Sequence, residues 1–231
     1  MTTHDPAHRN SVLTTFDSIA DRGEAARHEL LFGDLARQVI EGMSVRPGQQ
    51  LLELGCGSGW ATKRLGKKAP GAQAVGIDVS ARMIAFADSE TDWTSRARFE
   101  CMPMETLDLP DDRFDHALAI GSLELSGDAA LAEARRVLKP GGRLEAVVVA
   151  TPDSTASTSL GGAGLSVRSL DAAGWTAALE AAGFSVTSVT EMRDARVDGG
   201  LPPFEPTPWG PDAGAQASLL GGVFLHLSAE A

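Results

Sequence analysis

The stretch LLELGCGSG, residues 51–59, decides the fold of this chain of 231 residues. Its apolar first half predicts a buried strand that ends at a turn rich in glycine. The glycines Gly55, Gly57 and Gly59 can adopt backbone angles that other residues avoid, and they leave no Cβ between the backbone and a ligand. A helix is predicted directly after them. The stretch therefore predicts a strand–turn–helix unit with a ligand at the turn.

The next predicted strand indicates the kind of ligand. AVGIDVS, residues 74–80, carries Asp78 about twenty residues after the glycines, where a carboxylate can accept hydrogen bonds from two ribose hydroxyls. A dinucleotide-binding turn, G-x-G-x-x-G, would place its third glycine at Trp60, whereas this chain has Gly59. Glu53, at the end of the first strand, would repel a pyrophosphate and attract an ammonium group. S-adenosylmethionine fits this pattern better than NAD does.

The chain resembles the class I S-adenosylmethionine-dependent methyltransferases in four segments, which follow one another in the family's order. The segments are LLELGCGSG (51–59), GIDVSARMI (76–84), RFDHALAIGSLEL (113–125) and RVLKPGGRLEAVVVA (136–150). A further segment, FDSIADR (16–22), is similar to the N-terminal helix of the ubiquinone/menaquinone-biosynthesis type. These motifs are specific for the cofactor and the fold, and they say little about the methyl acceptor.

The resemblance implies an α/β fold, a Rossmann-like three-layer sandwich around a seven-stranded, mostly parallel sheet whose last strand is antiparallel. It also implies an N-terminal helical lid over residues 1–45 and a methyltransferase core over residues 46–231, in a single domain overall. The residues themselves support a parallel sheet, because predicted strands and helices alternate through this core. The stretch 193–217, rich in Pro and Gly, is interpreted as a further lid before the last strand, with a disordered segment as the alternative.

The resemblance also implies a set of cofactor-binding residues. Glu53 would lie near the methionine amine, the three glycines would contact the methionine backbone and the ribose, and Asp78 would bind the ribose hydroxyls. Pro103 stands where the family has an aspartate that accepts from the adenine amino group. The full predicted set is Glu53, Gly55, Cys56, Gly57, Gly59, Asp78, Val79, Met83, Met104, Glu105 and Ile120.

Two residues are predicted to take part in catalysis. Glu124 stands where many relatives have a histidine, and it is a candidate general base or a ligand for a cationic substrate. Its alternative role is structural, as a cap of the following helix or a carboxylate facing solvent. His28 lies on a predicted N-terminal helix that covers the active site in the family, and its alternative is a surface histidine. Tyrosine is absent from the sequence, so a mechanism based on tyrosine is excluded.

The composition of the chain restricts the class of substrate and the cellular location that are expected. The net charge is −11, and no basic stripe is present, which disfavours a nucleic-acid substrate and favours a small-molecule methyl acceptor. No apolar run is long enough to span a bilayer, so no membrane association is predicted. With only two cysteines, a reducing cytoplasm is the expected location. No metal site is predicted, and the oligomeric state stays open.

The predicted function is methylation of a small molecule, on oxygen or carbon rather than nitrogen. The segment after the fourth strand, residues 120–123, reads IGSL instead of the N-P-P-Y of many amine methyltransferases. One alternative is a catalytically silent S-adenosylmethionine-binding partner subunit, and another is an enzyme that uses this cofactor without transferring methyl. A third alternative is a nucleotide-sugar or NAD enzyme built on a similar sheet. The position of Gly59 and the charge of Glu53 argue against it.

Overall fold

A computed structural model describes residues 6–92, 94–150, 158–160, 165–168, 170–192 and 223–231. The helices are α1 (Pro6–Asp21), α2 (Arg27–Gly42), α3 (Trp60–Lys67), α4 (Ala81–Ser89), α5 (Asp128–Val137) and α6 (Ala172–Ala181). The strands are β1 (Gln50–Leu54), β2 (Gln73–Asp78), β3 (Ala97–Cys101), β4 (Phe114–Ile120), β5 (Leu138–Ala150), β6 (Thr158–Leu160), β7 (Leu165–Val167), β8 (Ser185–Met192) and β9 (Val223–Glu230). The predicted lid over residues 193–217 lies outside the described residues.

Seven strands form one sheet in the order β3-β2-β1-β4-β5-β9-β8, and β6 pairs with β7 separately. The first five strands are parallel to their neighbours, whereas β9 runs antiparallel to both β5 and β8. This arrangement confirms the predicted mostly parallel, seven-stranded sheet with an antiparallel last strand.

The sheet is buried on both faces, which explains the continuous apolar run of β1. Leu51, Leu52 and Leu54 are all fully buried, as expected for a central strand of a parallel sheet. On one face the strands pack against α5 and α6, with Trp175 in the centre of that cluster of buried side chains. On the other face they pack against α2 and α3, and Phe224 of β9 joins that cluster. The three layers of the predicted sandwich are therefore present.

The strand β5 begins before the glycines of the segment RVLKPGG. Leu138 already pairs with Phe114 of β4. The register then shifts before His116 pairs with Arg143. Gly141, with φ of 75°, lies within this irregular part. The pairing around this glycine depends on β4.

The helix α1 lies apart from the sheet layers, above the carboxyl ends of the strands. The structure describes it from Pro6 onward, which is also the first described residue of the chain. The Ser80 hydroxyl, just before α4, donates a hydrogen bond to Asp17. The boundary at residue 45 between lid and core stays a prediction, and α2 packs in a sheet layer. None of the helices in the described part of the chain is long and apolar enough to cross a lipid bilayer.

Candidate active site

A cleft of about 790 Å³, including its open mouth, lies between α1 and the carboxyl ends of β1, β2 and β4. In a parallel α/β sheet, ligands bind at this end of the strands. The cleft is lined by Arg9, Val12, Phe16, Ile19, Glu24, Ala25, Gly55, Gly57, Ile77, Asp78, Val79, Met83, Met102, Met104, Glu105, Ile120, Gly121, Ser122, Leu125 and Ser126.

The glycine turn after β1 forms the floor of the cleft. Gly55 and Gly57 have φ of 70° and 49°, in the left-handed region that favours glycine. A Cβ on Gly55 would lie 2.6 Å from the Cβ of Ser122, so Gly55 lets the turn approach the end of β4. A Cβ on Gly57 would meet no heavy atom within 4 Å, which leaves a free concave surface on the turn.

Asp78 holds this turn and faces the cleft. One carboxylate oxygen accepts a hydrogen bond from the backbone N–H of Gly57 at 2.9 Å, and the other accepts from the N–H of Ser80 at 2.9 Å. A carboxylate has about four acceptor positions, so acceptor positions remain for further donors. Burial raises the pKa of Asp78, and the two backbone hydrogen bonds act in the opposite direction. The arrangement fits two vicinal ribose hydroxyls.

The cleft walls near Asp78 are apolar. Val79, Met83, Met104 and Ile120 line it as predicted, together with the side chain of Glu105. Met102, at the end of β3, also lines the cleft and was not predicted, although its place beside Met104 was a usable signal. Apolar side chains around a few fixed polar groups suit the flat faces of a purine.

Three predicted cofactor residues lie behind the turn and not on the cleft surface. Cys56 is buried, and its N–H donates to the backbone oxygen of Ile77 at 2.8 Å. A Cβ on Gly59 would lie 2.5 Å from the ring of Phe99, so this glycine lets α3 begin close to β3. Glu53 is buried and accepts a hydrogen bond from the Thr62 hydroxyl. Direct cofactor contact by these three residues stays a prediction.

The protonation of Glu53 differs from what the sequence prediction assumed. Burial raises the pKa of Glu53 to about 8, and the hydrogen bond from Thr62 offsets this only in part. At pH 7 the carboxyl is therefore mostly protonated, whereas attraction of an ammonium group requires the charged form. Sequence alone gave no signal for this, because the burial depends on the packing of α3 against β1.

Replacement of Glu53 with glutamine is expected to remove a pH dependence of stability. The folded chain keeps a proton that a carboxyl with the ordinary pKa of 4.5 releases, so the free energy of unfolding of wild type falls from about pH 4.5 to about pH 8. In thermal unfolding from pH 5 to 8, the stability of Glu53→Gln relative to wild type should increase as the pH rises. Glu41→Gln, at an exposed position of α2, is the control. Parallel curves for wild type and Glu53→Gln would contradict the assignment.

Glu124 lies in a short 3-10 helix, Leu123–Leu125, directly after β4. One carboxylate oxygen accepts from the N–H of Val149 at 2.6 Å, and the other is buried without a hydrogen-bond partner. Burial raises the pKa of Glu124 to about 7. It neither faces solvent nor caps α5, so both predicted structural roles are wrong. It does not line the cleft, although its neighbours Leu125 and Ser126 do.

His28 belongs to α2, but its side chain lies outside the described part of the structure. Its predicted catalytic role therefore stays a prediction. Residues of α1 form the roof of the cleft. The sequence predicted an N-terminal helical lid but named none of these residues as part of the site. Arg9, Val12, Phe16 and Ile19 recur at spacings of three and four, which is the helical signal that could have identified them.

The family follows from comparison of the sequence. Residues 51–142, which contain β1 to β4 and most of the cleft floor, match the family described as Methyltransferase domain. This part of the chain is a methyltransferase domain, as the resemblance to the class I S-adenosylmethionine-dependent methyltransferases predicted. The predicted family is thereby confirmed.

Curated relatives of this methyltransferase domain act on different acceptors. The malonyl-[acyl-carrier protein] O-methyltransferase of Halorhodospira halophila is 31% identical over 62% of this chain and 48% of its own length. The ubiquinone/menaquinone biosynthesis C-methyltransferase of Geobacter sulfurreducens is 30% identical over 60% of this chain and 58% of its own length. The chain thus spans about half the length of these relatives.

Solved structures share the fold of the methyltransferase domain. A chain in the complex between the Haloferax volcanii Trm112 methyltransferase activator and a methyltransferase is similar, with a TM-score of 0.74, 23% identity, and coverage of 94% of this chain and 97% of that chain. The geranyl diphosphate C-methyltransferase of Streptomyces coelicolor, in complex with S-adenosyl-L-homocysteine, has a TM-score of 0.68 and 14% identity, with coverage of 87% and 80%. S-adenosylmethionine is the cofactor of the family, and the Asp78–Gly57 arrangement fits it.

Proposed function

We propose that this chain transfers a methyl group from S-adenosylmethionine to oxygen or carbon of a small molecule. The observation that carries the proposal is the Asp78 carboxylate, which faces the cleft while it holds the N–H of Gly57 at 2.9 Å. The match of residues 51–142 to the methyltransferase family supports the same function. The curated relatives include both O- and C-methyltransferases, which agrees with the sequence prediction.

When bound, S-adenosylmethionine supplies a methyl group on a sulfonium, which is already an activated leaving group. The protein's task is then to bind the cofactor and the acceptor, to orient them and to exclude water. Positioning of this kind is worth about 7–11 kcal/mol of barrier lowering. Asp78 would bind the ribose, the free surface at Gly57 would admit the cofactor, and α1 would cover the cleft as a lid.

The acceptor is proposed to be a small molecule and not a nucleic acid. The cleft is covered by α1, whose residues Val12, Phe16 and Ile19 line it with apolar surface. A net charge of −11 opposes the approach of a polyanion. Both cysteines are free, which agrees with a cytoplasmic location.

Glu124 is the proposed general base, a role that requires its carboxylate to reach the cleft, which it does not line in this structure. Its support is a buried carboxyl oxygen without a partner, on the segment that carries Leu125 and Ser126 into the cleft. Removal of a proton requires the charged form, and the pKa of Glu124 is raised to about 7. The value of kcat/KM for the wild type is therefore expected to increase as the pH rises through 7.

Glu124→Gln is expected to lower kcat by about 10²–10⁴-fold, the usual contribution of a general base, and to abolish that increase with pH. The measurement is the rate of S-adenosylhomocysteine release against pH. Glu180→Gln, at an exposed position of α6, is the matched control and should behave as wild type. A pH profile that survives in Glu124→Gln would contradict the role.

The proposed function is tested by transfer of label from S-adenosylmethionine labelled in the methyl group. The acceptors are a panel of phenols, carboxylic acids and enolisable ketones, and the label is sought in the extracted organic product. Transfer by wild type, and loss of transfer in Asp78→Ala, is the expected result. Binding of S-adenosylhomocysteine without transfer to any acceptor would instead favour the catalytically silent reading.

One observation favours a second candidate, in which the chain acts with a partner subunit. The similar chain with the TM-score of 0.74 was solved in a complex with a methyltransferase activator. In this case the purified chain would bind S-adenosylhomocysteine but transfer methyl only after a partner is added. The same labelling experiment, with and without cell extract, separates the two candidates.

A further inference from the structure

The helix α1 crosses the cleft from one end to the other, and two contacts fix its direction. Near its start, the His8 imidazole lies 3.0 Å from the backbone oxygen of Leu125, which follows β4. Further along, Asp17 accepts from the Ser80 hydroxyl, and the N–H of Ser80 donates to Asp78. His8 and Asp17 are about 14 Å apart along the helix axis. The start of α1 therefore lies away from the proposed ribose site, beside the segment after β4.

Arg9 is at this start of α1. Its side chain is half-buried and lines the cleft, and no other lysine or arginine in the described part of the chain does so. Across the described residues it has no hydrogen bond or ion pair. A guanidinium stays charged at any ordinary pH and offers a fork of donors that matches a carboxylate or a phosphate. Because the guanidinium lines the cleft and has no partner in the described part of the chain, an anionic group of a ligand can bind it.

An apolar cluster that includes Val12 lies one helical turn from Arg9. Val12, Leu125 and Val167 are buried together, and Phe16 and Val79 pack against them. This cluster joins the roof of the cleft to the segment after β4. A ligand whose anionic group reaches Arg9 would therefore place apolar atoms against Val12 and Leu125.

The carboxylates of the cleft lie elsewhere. Glu24 follows the far end of α1 and forms an ion pair with Arg22 at 3.2 Å. Glu105 follows β3, and two strands separate β3 from β4 in the sheet. At about 4.8 Å per strand, that places β3 about 14 Å from β4. Asp78 is assigned to the ribose. Glu124, on the segment beside this end of α1, is held by the N–H of Val149 and does not line the cleft, so no carboxylate of the cleft lining lies at the Arg9 end.

We propose that the methyl acceptor is an amphipathic anion, an apolar molecule that carries one carboxylate or phosphate group bound by Arg9. The inference rests on the proposed function, because it names the class of substrate for the same cleft. Carboxylate and phosphate share the recognition chemistry, and the cofactor's own carboxylate is the other source of such a group. The test below distinguishes these sources.

The experiment is calorimetric titration of the full chain after saturation with S-adenosylhomocysteine. The probes are octanoate and octyl phosphate, and octan-1-ol is the neutral probe of similar length. Arg9→Met keeps the apolar stem of the side chain and removes the charge. Arg64→Met removes one positive charge from an exposed position on α3 and is the matched control.

For each anionic probe, Arg64→Met should have the same affinity as wild type. The probe that binds wild type more tightly, octanoate or octyl phosphate, shows whether Arg9 prefers a carboxylate or a phosphate. Arg9→Met should bind that probe at least tenfold more weakly, while affinity for octan-1-ol stays unchanged. Arg9→Lys should recover part of the loss.

Three results would overturn the inference while leaving the proposed function intact. In the first, neither anionic probe binds wild type. In the second, both probes bind Arg9→Met as they bind wild type, so the charge has no role in acceptor binding. In the third, Arg9→Met loses affinity for S-adenosylhomocysteine itself, in which case Arg9 holds the cofactor's carboxylate. Failure of wild type to bind S-adenosylhomocysteine at all would instead reject the proposed function.

Discussion

Asp78→Ala is expected to weaken binding of S-adenosylhomocysteine by about 1–3 kcal/mol, the usual cost of removing a charged hydrogen-bond acceptor. This corresponds to a loss of affinity of about 5- to 150-fold. Two effects contribute. The ribose loses its acceptor, and the N–H groups of Gly57 and Ser80 lose the carboxylate that fixes the turn. Calorimetric titration of S-adenosylhomocysteine into wild type and variant measures the difference directly.

The matched control for Asp78→Ala is Asp88→Ala, which removes a carboxylate from an exposed position on α4. Its affinity should equal that of wild type. Asp78→Asn keeps one oxygen acceptor and should lose less affinity than Asp78→Ala. Unchanged binding in Asp78→Ala would reject the assignment of this residue to the ribose.

Substitution of the turn glycines by alanine is expected to separate binding from folding. Gly57→Ala places a Cβ on the free surface of the turn, where no protein atom lies within 4 Å. The strain of a left-handed alanine costs about 1–2 kcal/mol of stability, and affinity for S-adenosylhomocysteine should fall at least tenfold. Gly55→Ala adds a contact of 2.6 Å with the Cβ of Ser122, so it should destabilise the fold by roughly 2–5 kcal/mol.

Gly48→Ala is the control for backbone strain. Gly48 also has a positive φ, of 78°, and a Cβ there would meet nothing within 4 Å, but it does not line the cleft. Thermal unfolding should place Gly48→Ala and Gly57→Ala at similar stability, and only Gly57→Ala should lose affinity. Equal affinity of these two variants would show that the turn does not contact the cofactor.

The parts of this molecule that sequence predicted are those set by local chemistry. The glycine turn after β1, Asp78 at the end of β2, and the apolar residues Val79 and Met83 all take their places from a strand–turn–helix pattern within a short stretch. Parallel strands bring these stretches to one edge of the sheet, so four motifs were enough to predict most of the cleft floor.

The parts that sequence could not predict depend on contacts between distant segments. Glu53 is neutralised by burial beneath α3, and the carboxylate of Glu124 is held by the N–H of Val149 on β5. Arg9 lies at this end of the cleft because His8 of α1 is held near Leu125. The long-range contacts of Glu53, Glu124 and His8 leave no signal in the local sequence, whereas the helical spacing of Arg9 with the other cleft residues of α1 does. Burial decides the charge of the two carboxyl groups.

The most direct test of the account is calorimetric titration of S-adenosylhomocysteine into the wild-type chain, with NADH as the control ligand. The cleft has one carboxylate placed for a ribose, and its turn departs from the dinucleotide pattern at Gly59. We therefore expect micromolar binding of S-adenosylhomocysteine and no binding of NADH. Binding of NADH alone would contradict the account, because the turn would then accept a pyrophosphate and the chain would be a dinucleotide-binding protein.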